Sequence, residues 1–406
     1  MQVRSITGFT DPDWPIDPNR IKALAKALKA CRTALIDAGY NVQTLRLATP
    51  PPSEMENPVP VAERPDLARQ LEAECFVHGF DYAAIGPALP EELEAFDAAP
   101  AILSATETVF TSGLFADQAS GLSLQAAQAC ARAIRTISKI HSDGFANLRF
   151  AALANVPAGV PFFPAAYHRG GPPALSIATE AADLPVRVLE AATSLRGARR
   201  SLIGTIDTQA TTLAHNAERI TREHNIRFLG IDFSFAPYPE KARSLGTALE
   251  AFGLPSVGGV GSAAAAAFLA DCLDRAVFPR VGFCGLILPV FEDQVLSKRA
   301  ADGTLNLSDL LLYATLCGAG LDTIPLPGEA SVEALTGVLI DLGAVSLRHA
   351  KPLTARLMPI PGKSAGDEVQ FDFEYFAPSR VMPLPDQGPG DLLAGPEWLD
   401  INPHRE

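Results

Sequence analysis

The residues of this chain that could do chemistry are one histidine, a few carboxylates and a few basic groups, each set among prolines, glycines and apolar side chains. His168 sits near the end of NVPAGVPFFPAAYHRGG, residues 155–171. Prolines fix the backbone there while Phe162 and Phe163 need burial, so the loop is expected to fold into the structure and hold His168 at a constrained place. An imidazole titrates near neutral pH. Oriented by a carboxylate such as Glu180, Asp232 or Asp322, His168 would serve as a general acid or base. The alternative is a histidine that satisfies loop carbonyls.

RFLGIDFSFAPYP, residues 227–239, reads as a strand ending in a Pro-bounded turn. Alternation sets Asp232 on the face opposite Ile231 and Phe233, where a carboxylate is costly unless it meets a cation, a hydroxyl or a ligand. Its plain role would be to accept backbone N–H groups and shape the turn. GLDTIPLPGE, residues 320–329, repeats the pattern with Asp322. Two converging carboxylates could share protons, one of them with a raised pKa; the plain role of Asp322 is to tie down a loop. His168, Asp232 and Asp322 are thus the candidate catalytic set.

Glu180, Cys317, Lys351 and Arg356 are the candidate substrate contacts. Lys351 and Arg356, in KPLTARLMPIPGK, offer donors to a carboxylate or phosphate unless a structural acid claims them. Cys317 ends the helical run LSDLLLYATLC, where the helix dipole opposes ionisation, so it is not read as a nucleophile. Cys284, among the apolar residues of RVGFCGLILPV, reads as a small buried hydrophobe. Glu292 and Asp293 follow in PVFED, where charge is equally natural on a solvated turn. GLPSVGGVGS lacks both the Lys-Ser/Thr of a P-loop and a dinucleotide fingerprint. With no H-E-x-x-H, G-x-S-x-G or Cys/His cluster, no metal is assigned and the cofactor is left unknown.

The elements that must position these groups alternate along the chain. A strand, VRSITGF, is followed by a helix that begins after Asp17 and ends at Gly39, then by the strand NVQTLRLATPP. Further helices are expected at 64–77, 90–98, 122–140, 182–195, 201–224, 240–252, 262–276, 307–317 and 331–342. Strand-like runs lie between them, including AILSATETVF, RVGFCGLILPV and EVQFDFEYF. The alternation persists to about residue 380 without a flexible linker, which implies one barrel-like or large doubly wound α/β domain over residues 1–383. Residues 384–406, rich in Pro, Gly and acid, are expected to form an extended tail.

Composition bounds the partners. Of 406 residues, 48% are hydrophobic and only 19% charged, so a large core is possible and much of the chain is expected to be buried or packed against another subunit. The formal charge of −13 repels phosphate backbones and anionic lipid headgroups, which makes nucleic acid and membrane surfaces poor partners. Six widely separated cysteines suggest reduced thiols in the cytoplasm. No signal-like start and no 18-residue uncharged apolar stretch is seen.

The ordered set VRSIT, GYNVQTLRLATPP, NVPAGVPFFPAAYH, FLGIDFSFAP, the Ser262-led alanine helix, LILPVFED, CGAGLDTIPLPG and TARLMPIPGK resembles domain-of-unknown-function family 711. That family is an uncharacterised one within the pyruvate formate-lyase-like superfamily, and the resemblance spans about residues 2–383. It implies a large α/β barrel of about ten strands surrounded by helices, a site inside or at the mouth, and a cytoplasmic homo-oligomer. Segments carrying His168, Asp232, Cys317, Asp322, Lys351 and Arg356 match family-like segments. Glycyl-radical relatives need a glycine in a motif resembling R-V-x-G-Y; Gly388, Gly390 and Gly395 lie in a Pro-rich tail without that setting, so radical chemistry is not expected. The reading that results is an enzyme using acid–base chemistry on a small polar metabolite, its reaction class unassigned. The alternative is a non-catalytic small-molecule binding or regulatory protein.

Overall fold

Ten short runs rich in apolar residues become strands: β1 (Gln2–Phe9), β2 (Val42–Ala48), β3 (Tyr82–Ala84), β4 (Val109–Asp117), β5 (Gly121–Ser123), β6 (Phe150–Ala154), β7 (Ala174–Glu180), β8 (Arg227–Asp232), β9 (Gly320–Pro327) and β10 (Leu353–Ile360). The computed structural model describes residues 1–316 and 318–404, so Cys317 lies outside the described residues. Nine of these strands line up in the order β8-β7-β1-β2-β3-β4-β6-β10-β9. All neighbouring pairs on this path are parallel except β1–β7 and β6–β10. Most parallel pairs are joined by helical crossovers, giving the α/β layering expected from the sequence.

Local chemistry sets the helix ends. Asp17 accepts from the Asn19 N–H and Pro18 occupies the first turn of Pro18–Asp37, both favoured at a helix start. Ser194 caps the long helix Leu195–His224, which stops at Asn225 with φ of 54°, a conformation asparagine tolerates better than most residues. One face of the sheet packs on the helices, where Ile6 joins Leu24 and Leu28 in the main core. The other face is apolar as well: Ala151 and Leu153 pack with Val160, and Phe9, Ala48 and Phe110 with Phe163. A mostly parallel sheet is covered on both sides, here by the proline- and phenylalanine-rich loop.

Several expected elements take other forms. Ala101–Ser104 of AILSATETVF belongs to the helix Ala98–Ser104, and strand begins only at Val109. Residues 90–98 hold a short 3-10 turn, Leu93–Asp97, instead of an α-helix. Residues 240–252 hold a 3-10 turn, Lys241–Arg243, and a short helix, Leu245–Glu250. The helix Gln294–Ala301, missing from the sequence reading, is capped by Asp293. EVQFDFEYF pairs only over Glu368–Val369, because Phe371, Phe373 and Phe376 turn to stack around Phe145.

RVGFCGLILPV forms isolated bridges instead of a continuous strand, and Gly282 and Cys284, with φ of 80° and 44°, break its run. This stretch still reaches both ends of the strand path. Phe235 of the segment after β8 donates to Gly285, and Val290 donates to Asp322 of β9. In the tail, Trp398–Leu399 pairs with β5 and Arg348 donates to the Asn402 carbonyl at 2.8 Å. Among the described residues, no helix is long and apolar enough to cross a membrane.

Candidate functional site

Side chains from β1, β2, β3, β4, β7, β8, β9 and β10 converge on a cavity of about 280 Å³, close to the small end of the range for metabolite sites. Its walls are largely aromatic: Phe110, Phe162, Phe163, Tyr82, Phe373 and Tyr375. Charged side chains on the wall include Arg4, Arg46, Glu107, Arg149, Asp232, Glu292, Asp322 and Arg356, of which Arg4, Glu292, Asp322 and Arg356 are bonded to one another.

Irregular strand pairing aims the key groups. Along β9 and β10, Ala355 faces Leu321 and Leu357 faces Ile324, so Asp322 and Thr323 stand opposite the single residue Arg356. This is a β-bulge, the device that re-aims side chains beside functional sites. Thr323 there has φ of 45°, which a β-branched side chain adopts only under constraint from its surroundings. The result is an ion pair, Arg356 Nε to Asp322 Oδ1 at 2.6 Å. A second irregularity falls at Arg4, between Val3 and Ser5 in the pairing of β1 with β7.

Arg356 also donates through Nη2 to Glu292 Oε1 at 2.7 Å, and Arg4 pairs with the other oxygen of Glu292. Phe162 lies against the Arg356 guanidinium, 5.7 Å from its ring centroid, a contact contributing roughly 0.5–1 kcal/mol. Asp322, Glu292 and Arg356 are only 1–4% exposed. Burial opposes ionisation of Glu292, but the charges of Arg4 and Arg356 outweigh it and hold its pKa low. Asp322 goes the other way. Burial, reinforced by the charge of Glu292, raises its pKa despite Arg356. The two shifts run in opposite directions, so Asp322 is the weaker acid of the pair and Glu292 the stronger.

Asp322 Oδ2 has no hydrogen-bond partner among the described residues. An unpaired buried oxygen costs about 1–3 kcal/mol, and this one belongs to a residue on the cavity wall. Asp232 is better provided. It accepts from Ser234 Oγ, from Phe283 N at 3.0 Å and from Cys284 N at 2.9 Å; burial raises its pKa and these bonds oppose the rise. Gly282 is needed for that approach, since a Cβ there would collide with the carboxylate. Asp232 thus shapes a turn and lines the cavity as well.

The other candidates stand apart. His168 is not among the cavity-lining residues. Its backbone N–H donates to Thr49, its Nε2 lies 3.4 Å from the Gly171 carbonyl, and burial lowers its pKa. Of its loop, Pro161, Phe162 and Phe163 line the cavity and His168 does not, so the imidazole does not converge with Asp232 and Asp322 there. Glu180 pairs with Arg243 and accepts from Gln43 Nε2 at 2.8 Å, outside the cavity wall. Lys351 follows the helix Val332–Arg348 and does not line the cavity either. The Cys284 thiol is buried and pushed up to about 12, by burial first and then by Asp232.

Sequence alone does not single out Arg4 or Arg46, and it leaves Glu292 a weak candidate for which a solvated turn is equally natural, whereas Glu292 is 4% exposed. The signal was present in VRSIT and TLRLA, where an arginine stands between apolar or small strand residues as it does in TARLM. Among the described residues, no group of three or more His, Cys, Asp or Glu is placed to hold a metal ion.

Residues 1–374 match the family model described as Uncharacterised ACR (DUF711). A UPF0210 protein of Pyrobaculum islandicum is 31% identical over 384 residues, covering 86% of this chain and 79% of the relative. One from Methanopyrus kandleri is 30% identical, covering 75% of this chain and 70% of the relative. One from Halothermothrix orenii is 28% identical, covering 85% and 80%. By the extent of the match and these relatives, the chain belongs to the DUF711 family, the UPF0210 proteins.

Proposed function

We propose that the cavity is the active site of an enzyme that moves a proton on a small polar metabolite, with Asp322 as the general acid. The observation that carries this is the pairing of Asp322: one carboxyl oxygen is bound to Arg356, and the other has no hydrogen-bond partner among the described residues. A carboxyl that keeps its proton can give it to an acceptor oxygen of a bound molecule. The aspartate left behind would be held by Arg356, which already donates to it, and a pre-aimed cation of this kind stabilises charge as it forms. Arg4 keeps Glu292 charged and in place. Asp232 would orient or polarise the substrate from β8. His168 has no part in this transfer, which falls to Asp322.

The same reading takes the sheet as a closed barrel of the pyruvate formate-lyase-like kind, with the site in its interior. What supports closure is the stretch 280–290, bonded to the region of β8 at one end and to β9 at the other. Closure would remove both open edges and shelter the cluster from bulk water.

The test is a screen of small organic acids, ketones and alcohols for stabilisation of the protein, with product analysis of each stabilising compound. Conversion by the wild type is expected to fall about 100-fold or more in Asp322→Asn, the scale of a lost general acid. Compounds that bind saturably and are never converted would leave only the binding role.

A further inference from the structure

We infer that the cavity receives a monocarboxylate with a flat apolar body, such as an aryl or unsaturated acid, and that Arg46 is its anchor. This rests on the cavity being a ligand site, as proposed above, but not on any chemistry at Asp322.

Arg46 lies on β2 with buried Leu45 and Leu47 as neighbours, and its side chain lines the cavity. It differs from the other arginines on the wall. Arg4 and Arg356 are bound to Glu292 and Asp322, and Arg149 donates to the Leu103, Thr106 and Val109 carbonyls. Among the described residues, no carboxylate lies within 4.0 Å of Arg46. Its Nε donates to Thr44 Oγ1 at 2.9 Å, while Nη1 and Nη2 make no hydrogen bond among the described residues. Two aromatic rings fix the guanidinium instead, Phe163 at 5.1 Å and Tyr82 at 5.7 Å from ring centroid to Cζ. The group is thereby held flat with a pair of terminal N–H donors open. Burial and the charge of Arg4 lower its pKa to about 10, so it remains a cation at neutral pH.

An open guanidinium edge matches the two oxygens of a carboxylate in a planar, two-bond contact. A phosphate dianion would ask for more donors than this wall provides, since no lysine among the described residues lines the cavity, Arg4 and Arg356 are held by Glu292 and Asp322, and Arg149 is bonded to backbone carbonyls. The body of the ligand is set by the walls. Tyr82, Phe110 and Phe163 form a run of edge-to-face rings with centroids 5.4 Å apart, and flat apolar groups pack well against such a surface.

Benzoate, benzamide and phenyl phosphate separate the alternatives by titration calorimetry on the full chain. Benzoate is expected to bind at a single site, about 10-fold or more tighter than benzamide, which has the same ring and no charge. Phenyl phosphate is expected to bind no more tightly than benzoate. Arg46→Gln should weaken benzoate about 10-fold or more. Arg46→Lys keeps the charge without the flat fork, and should weaken it about 3-fold or more; it carries the test if the glutamine variant does not fold.

Equal affinity for benzoate and benzamide, tighter binding of phenyl phosphate, unchanged affinity in the variant that folds, or no benzoate binding up to about 10 mM would each overturn the inference. Asp322→Asn separates it from the acid–base reading. Turnover that depends on Asp322 without benzoate binding would sink this inference alone, and benzoate binding at Arg46 without turnover of any compound would sink only the acid–base reading.

Discussion

Asp293, at the start of the helix Gln294–Ala301, and Asp322, in the cavity wall, are both removed from bulk solvent, and burial raises the pKa of each. Their bonding differs. The Oδ1 of Asp293 accepts from Ser244 Oγ, Val295 N and Leu296 N, at 2.6, 2.9 and 3.0 Å, and its Oδ2 from Leu245 N and Gly246 N, at 2.6 and 3.2 Å. Asp322 has one guanidinium on Oδ1 and, among the described residues, no hydrogen-bond partner on Oδ2. Burial alone therefore does not mark a functional acid. A saturated carboxylate is a cap, and a carboxyl with a spare oxygen beside a cavity is poised to meet a ligand. Asp232 lies between these extremes, with its bonds made but a place on the cavity wall.

The largest effect that sharpens this contrast is on Arg356. Replacing it by methionine leaves Asp322 without its partner and Glu292 with Arg4 alone in a low-dielectric interior, and removing one side of a buried ion pair costs about 3–5 kcal/mol. Urea unfolding at pH 7 should show that loss. A smaller loss than about 1 kcal/mol would mean that the acids find other partners. Asp293→Ala should come next, at about 3 kcal/mol, because it strands several donors at once and removes a helix cap. Benzoate binding should be untouched by it; a coupled loss of binding would break the division between cap and site.

A third test is the pH dependence of stability in the wild type and in Asp322→Asn. A folded-state pKa raised above the unfolded value of about 3.9 means that the native protein binds the proton more tightly than the unfolded chain does. Stability from this group is full below the unfolded pKa and is lost as pH rises through the folded one. The wild type should lose stability relative to Asp322→Asn from about pH 4 upward, by at most about 1.4 kcal/mol per pH unit, and then level off. Taking the difference removes Asp232 and Asp293, which are shifted the same way. A difference that grows in the wild type's favour with rising pH would make Asp322 an ionised partner of Arg356 and remove the proposed acid.

Much of the fold and half of the site could be read from residue order. Periodicity and capping residues located the helices at Pro18–Asp37, Arg64–His78 and Ser262–Arg275, because each buries a stripe of side chains and has punctuation at its ends. Asp232, Asp322 and Arg356 stood out as charges in apolar strands, and all three line the cavity. Arg4 did not. Strict alternation puts it on the same face as Ile6 and Gly8, toward the helix that carries Leu24 and Leu28, and only the irregular pairing at Val3–Ser5 leaves it free to line the cavity. Bulges are decided by two strands together, so one strand's sequence does not announce them. Glu292 and Asp293 were hidden for a related reason: adjacent acids in PVFED look alike, yet one turns to two arginines and the other to a helix end.

The smallest expected effect concerns His168, the residue whose surroundings in the sequence looked most like a catalytic loop. Its loop is rigid and buried for another purpose, since Phe162 and Phe163 form part of the cavity wall while the imidazole points to a loop carbonyl. The contact of its Nε2 with the Gly171 carbonyl, at 3.4 Å, is long for a hydrogen bond, so His168→Ala should cost about 1 kcal/mol or less. That loss is local to the chain around Thr49 and Gly171. Benzoate affinity, and the turnover of any substrate found by screening, should stay within about 2-fold of the wild type. A drop of about 100-fold in turnover with folding intact would return the proton shuttle to His168, and would mean that the loop moves the imidazole into the cavity when a ligand is bound.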